Sequence, residues 1–196
     1  MLKFRTISIV VLLLSALTFA GCASNHNESI LPSDEPKPKQ EEDNLAIEGK
    51  SVATRVVASE KVLPANFQEV LSRREIAPHY EYMATKSTDE TQFEKAWSYY
   101  RFEEKQPEVN HDQNDTYFIG VHESGTCPYE TGEVSLRADG QALVVMLVST
   151  GSYCTADARP RTFVIELNKE QSKAIREVVI IESDTETIVP LSDVTS

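Results

Sequence analysis

Four β-forming runs after Pro107 limit the folds open to this chain more than any other feature. Each run is rich in valine, isoleucine, leucine or aromatic residues and is bounded by turn-forming residues. The runs are Tyr117–His122 (YFIGVH), Glu133–Arg137 (EVSLR), Ala142–Ser149 (ALVVMLVS) and Thr162–Leu167 (TFVIEL). Asp139-Gly140, between the second and third runs, predicts a hairpin because glycine accepts the positive φ of a tight turn. This half of the chain is therefore predicted to be an antiparallel sheet.

The clearest predicted helix runs from about Asp89 to Phe102. Thr88 is placed to cap it, and acidic residues in its first turn favour the helix dipole. One face of the helix repeats at i, i+3, i+4 and i+7 and carries Phe93, Ala96, Trp97 and Tyr100. Such a face is either a ligand platform or a core contact, and this spacing usually indicates a buried stripe.

Shorter patterns complete the predicted secondary structure. Strands are predicted at 51–58, 79–84, 178–181 and 187–191, and short helices at 64–74 and 168–175. Strands that greatly outnumber helices, with a hairpin among them, are typical of an α+β fold. We therefore predict a mainly antiparallel sheet that carries one principal helix and one or two short helices.

The N-terminus has the three parts of an export signal. Lys3 and Arg5 form a basic start, and the uncharged run Ile7–Phe19 is shorter than the roughly 20 apolar residues that a membrane span needs. Small residues, Ala20 and Gly21, follow directly. Residues 1–21 are therefore predicted to be a signal peptide, outside the folded domain.

Phe19-Ala20-Gly21-Cys22 resembles the lipobox of bacterial lipoproteins. The resemblance implies that Cys22 carries diacylglycerol and becomes the first residue of the mature protein, and two acyl chains anchor a protein stably. The expected location is the extracytoplasmic face of a membrane, on a Gram-positive surface or a Gram-negative outer membrane. The alternative is an ordinary secretory signal that ends at a chance cysteine.

Composition separates a tether from a folded domain. Residues 22–47 are mostly polar, charged or proline and are predicted to be a disordered tether, whereas 48–196 have the apolar content of a single globular domain. The chain has 19 basic and 31 acidic residues, for a net charge of −12. Because nucleic-acid affinity depends largely on basic side chains, this balance argues against nucleic acid as a partner.

Cys127 and Cys154 remain once Cys22 is assigned to lipid. In an exported chain two such cysteines predict a disulfide, which would contribute roughly 3 kcal/mol by closing a loop. The alternative is a catalytic thiol, because His122 precedes Cys127 by five residues and Glu123 is a candidate to orient the imidazole.

Other candidate sites lie near the same cysteines. His122 and Ser124 are residue types used in acyl transfer, although the nucleophile-elbow motif is absent. Arg159 and Arg161 either clamp a carboxylate of a partner or pair with acids of this chain. We assign no catalytic residue, metal ligand or cofactor from the sequence.

The domain also resembles PrcB-type lipoproteins, accessory subunits of a surface protease complex, and related lipoproteins of Gram-positive bacteria. The helix with Trp97, the segment Pro107–Asn110 and the Tyr117–His122 strand carry the resemblance, which covers roughly residues 80–190. Asn110-His111 and the loop 124–129 depart from that family's pattern. The resemblance implies a noncatalytic domain and brings no catalytic residues.

Together these features predict a membrane-anchored, extracytoplasmic lipoprotein that acts as a noncatalytic interaction module. We expect it to bind an envelope protein through the loops around Cys127 and Cys154, with His122, Ser124, Arg159 and Arg161 as candidate contacts. The alternative is an envelope hydrolase or thiol enzyme that uses His122 with Ser124 or Cys127.

Overall fold

The computed structural model describes residues 49–75 and 81–194, which form nine strands and three helices. The predicted signal peptide, Cys22, the predicted tether and His79 lie outside the described residues. The strands are β1 Gly49–Ser51, β2 Thr54–Glu60, β3 Tyr82–Ser87, β4 Asn114–Glu123, β5 Tyr129–Arg137, β6 Ala142–Ser149, β7 Arg159–Asn168, β8 Glu177–Glu182 and β9 Thr185–Pro190. The helices are α1 Phe67–Ser72, α2 Glu90–Tyr99 and α3 Lys169–Ser172.

The strands form two sheets, where a single sheet was predicted. The five-stranded sheet has the order β1-β5-β6-β8-β9 and the four-stranded sheet the order β2-β7-β4-β3. All paired strands are antiparallel except β6 and β8, which run parallel. The predicted α+β class, with mainly antiparallel pairing and one principal helix, is confirmed.

The two sheets pack face to face around the main core. Alternate residues of each strand point the same way, so Tyr117, Ile119 and Val121 of β4 face inward together. Leu143 and Val145 of β6 belong to the same buried cluster and come from the other sheet. Burial between the sheets therefore explains why these runs are so apolar.

The predicted strand over 51–58 is wrong in one respect, because the chain changes sheets within it. Ser51 pairs with Ser135 of β5, whereas Thr54 pairs with Leu167 of β7 in the other sheet. Val52 lies at the crossing and packs against the core between the sheets. A single apolar pattern covers both pieces, so periodicity alone does not show where the chain crosses.

Helix α2 covers the outer face of the four-stranded sheet. Its predicted stripe is a core contact: Phe93 and Trp97 are buried in one cluster with Phe118 of the sheet. The predicted cap at Thr88 is wrong, because Asp89 Oδ1 accepts the N–H of Gln92 at 2.8 Å. A carboxylate at this position also interacts favourably with the helix dipole.

Candidate interaction site

Cys127 and Cys154 form a disulfide, as predicted, with their Cα atoms 5.3 Å apart. The bond joins the loop after β4 to the loop after β6. Gly151 lies directly against it, and a Cβ there would sit 2.5 Å from Cys127 Sγ. Since the sulfur of Cys127 is bonded, this residue carries no free thiol, which argues against its predicted alternative role as a nucleophile.

Hydrogen bonds inside the disulfide loops fix their conformation. Thr126 Oγ1 donates to the carbonyl of Tyr153 at 3.0 Å and accepts the N–H of Thr155, also at 3.0 Å. Asp157 accepts the Thr155 hydroxyl and, at 3.0 Å, the N–H of Gly125. These hydrogen bonds hold the pKa of the Asp157 carboxyl well below its usual range, and the bond from Thr155 has the largest effect. The loops therefore form a cross-linked, pre-organised surface.

Tyr153 is the most prominent side chain of this surface. It is 91 % exposed, at the tip of the loop that Cys154 closes. Exposed tyrosines on rigid loops are frequent interaction anchors, because they offer a large contact area at a low entropic cost. Sequence reasoning missed this residue, although an aromatic side chain between glycine, serine and cysteine was a usable signal.

His122 and Glu123 do not act together. They are neighbours on β4, so their side chains point to opposite faces of the sheet. The ring of His122 contacts Phe67 of α1 edge-on at 5.1 Å. Glu123, which is 3 % exposed, faces the other sheet. The idea that Glu123 orients the imidazole is therefore wrong.

Ser124 lies in the hydrogen-bonded part of the loops. Its hydroxyl is 3.1 Å from Thr155 Oγ1 and 3.3 Å from Thr126 Oγ1. Three hydroxyl groups thus form a small exposed cluster beside the disulfide. The cluster can donate and accept hydrogen bonds to a partner, and the predicted role of Ser124 in binding stays a prediction.

Both candidate arginines pair with acids of this chain. Arg159 contacts Asp157 at 2.7 Å on the surface. Arg161 makes a two-pronged contact with the buried Glu123, with Nη2 and Nε at 2.8 and 3.0 Å from Oε1. Glu123 Oε2 also accepts the N–H of Tyr129 at 2.9 Å, so the pair links the two sheets.

A groove of about 520 Å³ opens beside these residues. Val56 and Ser59 of β2 form one wall, Tyr129 and Glu130 of β5 form the other, and Arg161 lies between them. Strands β2 and β5 belong to different sheets, and they diverge from the point at Val52 where the chain passes from one sheet to the other. The groove extends the surface of the disulfide loops with apolar and hydrogen-bonding groups.

The disulfide loops lie at the opposite end of the domain from Gly49. Gly49, the first described residue, pairs with Arg137 at the end of β5. Cys127 lies two residues before the start of β5, and a nine-residue strand spans roughly 26 Å. We call the end that carries Cys127, Tyr153 and Arg161 the disulfide end.

No family model matches this chain, and neither a search of curated proteins nor a search of solved structures finds a match. The predicted resemblance to PrcB-type lipoproteins therefore stays a prediction. Within residues 49–75 and 81–194, no helix is long and apolar enough to cross a membrane. In the same residues, no group of three or more His, Cys, Asp or Glu side chains is placed to hold a metal ion.

Proposed function

We propose that this protein is a lipid-anchored, extracytoplasmic interaction module that binds an envelope protein through its disulfide end. The proposal joins two parts of the molecule. The sequence Phe19–Cys22 supplies the anchor, and the pre-organised loops around Tyr153 supply the binding surface. The exposure of Tyr153 on a loop fixed by a disulfide is the observation that carries the binding role.

The geometry of the domain supports this arrangement. Gly49, the first described residue after Cys22, lies one strand length from the disulfide end. A module attached in this way presents Tyr153 away from its point of attachment. Pre-ordering by the disulfide lowers the entropy lost when a partner binds.

The anchor is tested by metabolic labelling with an alkyne-bearing fatty acid in a bacterial host. We expect the label on the wild-type chain and its loss in Cys22→Ala. Cys127→Ser/Cys154→Ser is the matched control, because it also removes cysteines but keeps the lipid acceptor Cys22. Equal labelling of wild type and Cys22→Ala would contradict lipid anchoring.

The binding surface is tested by in vivo cross-linking of the full chain, followed by mass spectrometry of the adducts. A photoreactive amino acid is placed at the exposed Ala156 in wild type, in Tyr153→Ser and in Ile188→Ser. Ile188 is 50 % exposed on β9 and serves as the apolar control. We expect one recurrent envelope protein in wild type and Ile188→Ser and its loss in Tyr153→Ser. An adduct that is equally strong in all three chains would overturn the assignment of the surface.

A further inference from the structure

A second concavity lies at the disulfide end, on the helix side of the four-stranded sheet. Its volume is about 500 Å³, and it is bounded by the segment after β2, the start of α1, the end of α2 and the end of β4. Buried and half-buried apolar residues form its floor. The lining residues that matter here are Leu63, Phe67, Lys61, Arg101, His122 and Glu103.

The charged side chains around this pocket are mainly basic, although acids outnumber bases by 31 to 19 in the whole chain. Lys61 and Arg101 are exposed, and neither takes part in an ion pair within the described part of the chain. Glu103 is the acid among the lining residues, and its N–H donates to the carboxylate of Glu60 at 3.2 Å. The pocket therefore carries at its rim two basic side chains that form no ion pair among the described residues, beside the carboxylates of Glu103 and Glu60.

The backbone of Arg101 gives a second, independent observation. Its φ is 65°, in the left-handed region that favours glycine. The residue lies at the C-terminal end of helix α2. Its N–H donates to the carbonyl of Ser98 at 3.0 Å, and the N–H of Phe102 donates to the carbonyl of Trp97 at 3.2 Å. Glycine is the usual residue at this position of a helix end. An arginine here costs backbone energy, and strain of this kind clusters at binding and catalytic sites.

We infer that this pocket binds a carboxylate carried on an apolar body. The guanidinium of Arg101 and the ammonium of Lys61 supply charged hydrogen-bond donors for the carboxylate. Leu63 and Phe67, with the ring of His122 packed on Phe67 at 5.1 Å, supply the apolar contact. A few polar groups at the rim of an apolar pocket is the usual design of a small-molecule site. This inference stands apart from the binding surface around Tyr153.

The test uses two probes of the same shape, 3-phenylpropanoate and its neutral amide, with inorganic phosphate as a third. Each is titrated into the detergent-solubilised, ¹⁵N-labelled full chain, and the amide shifts of Lys61, Gln68 and Arg101 are followed. We expect saturable shifts with the carboxylate and none with the amide. Saturation by phosphate alone, or equal shifts with the amide, would overturn the inference.

Two variants test whether the guanidinium of Arg101 is the positive charge that binds the carboxylate. Arg101→Asn keeps a residue that tolerates positive φ but removes the guanidinium. We expect it to weaken the apparent affinity about threefold to fivefold, as for an exposed ion pair. Lys95→Gln removes an exposed charge from the same helix outside the pocket and should leave the affinity unchanged. Equal affinities for wild type and Arg101→Asn, or equal weakening by both variants, would contradict the role of Arg101.

Discussion

Two arginines separated by one proline play very different parts in this molecule. The side chains of Arg161 and Glu123 are 14 % and 1 % exposed, whereas those of Arg159 and Asp157 are 64 % and 37 % exposed. A buried carboxylate that loses its partner keeps the full cost of its desolvation. An exposed pair loses little, because water and salt already screen it. Burial therefore decides which arginine matters for stability.

We predict that Arg161→Gln destabilises the fold by roughly 3–5 kcal/mol, because it leaves Glu123 buried and unpaired. Arg159→Gln is the matched control and should shift the unfolding midpoint far less. The measurement is urea unfolding followed by far-UV circular dichroism. Glu123→Gln introduced together with Arg161→Gln should recover part of the loss. Similar midpoints for the two single variants would contradict this account.

At the level of elements, each end of the core between the sheets is closed by a polar cluster. At the disulfide end, the Tyr82 hydroxyl donates to Glu182 at 2.6 Å, and the Tyr129 hydroxyl donates to the same carboxylate. These bonds join β3 and β5 to β8, so they connect the two sheets.

The opposite end of the core has a cluster of the same kind. Ser172 Oγ donates to Asp115 Oδ2 at 2.6 Å, and Lys86 Nζ lies 3.1 Å from the same oxygen. Tyr117 completes the cluster, with its hydroxyl 2.6 Å from Ser172 Oγ. These contacts attach the short helix α3 to β3 and β4. Hydrogen bonds offset most of the cost of burying these polar groups, although Asp115 Oδ1 is buried without a hydrogen-bond partner.

The β8–β9 hairpin has a turn that its sequence does not favour. Ser183 and Asp184 have φ values of 48° and 64°, and Glu182 pairs with Thr185 across them. A two-residue turn of this type strongly favours Asn-Gly. We therefore predict that Ser183→Asn/Asp184→Gly stabilises the domain by about 1 kcal/mol, measured as a rise in the thermal midpoint. Asp184→Val should lower it, and a fall in both variants would contradict the turn geometry.

The disulfide is the other element-level device. We predict that Cys127→Ser/Cys154→Ser lowers the free energy of unfolding by roughly 3 kcal/mol, because the unfolded chain loses a constraint across 27 residues. Urea unfolding of wild type with and without reductant supplies the comparison. Reductant should lower the midpoint of wild type and leave that of the variant unchanged. A reductant effect of equal size in both would show that it does not act through this bond.

For the whole molecule, four tyrosines predict how stability depends on pH. Burial raises the pKa of Tyr82, Tyr100, Tyr117 and Tyr129 above the ordinary value of about 10, and Glu182 adds to the effect at Tyr82 and Tyr129. In alkali the unfolded chain loses these protons first, so the folded chain binds more protons. Stability is therefore complete below about pH 10 and falls as the pH rises further.

We predict that the urea midpoint falls steadily as the pH rises from about 10 to about 12. Tyrosinate absorbance near the onset should account for fewer residues in the folded chain than in the urea-unfolded chain. Tyr100 is fully buried. Tyr100→Phe keeps the ring but removes the titrating hydroxyl, so it should make the fall of the midpoint with pH less steep. A midpoint that rises or stays constant over this range would contradict the prediction.

The sequence by itself determined the local features of this protein. Alternation and β-branched runs predicted the strands, Asp139-Gly140 predicted the β5–β6 hairpin, and the spacing from Phe93 to Tyr100 predicted the buried face of α2. Gly140 has the positive φ of 69° that this turn requires. These features depend on residues close together in the chain, so a short window of sequence contains their cause. The pairing of Cys127 with Cys154 was predicted because two cysteines remain once Cys22 is assigned to lipid, and the structure contains that disulfide.

Only the tertiary structure decided which strands share a sheet and which side chains share a site. A period of two places residues on two faces but does not say which sheet a strand joins, so the crossing at Val52 and the parallel β6–β8 pair were not predictable. Arg101 and Lys61 are forty residues apart and meet at one pocket only because α2 packs across the sheet. Such contacts arise from packing between distant segments, which no local pattern contains.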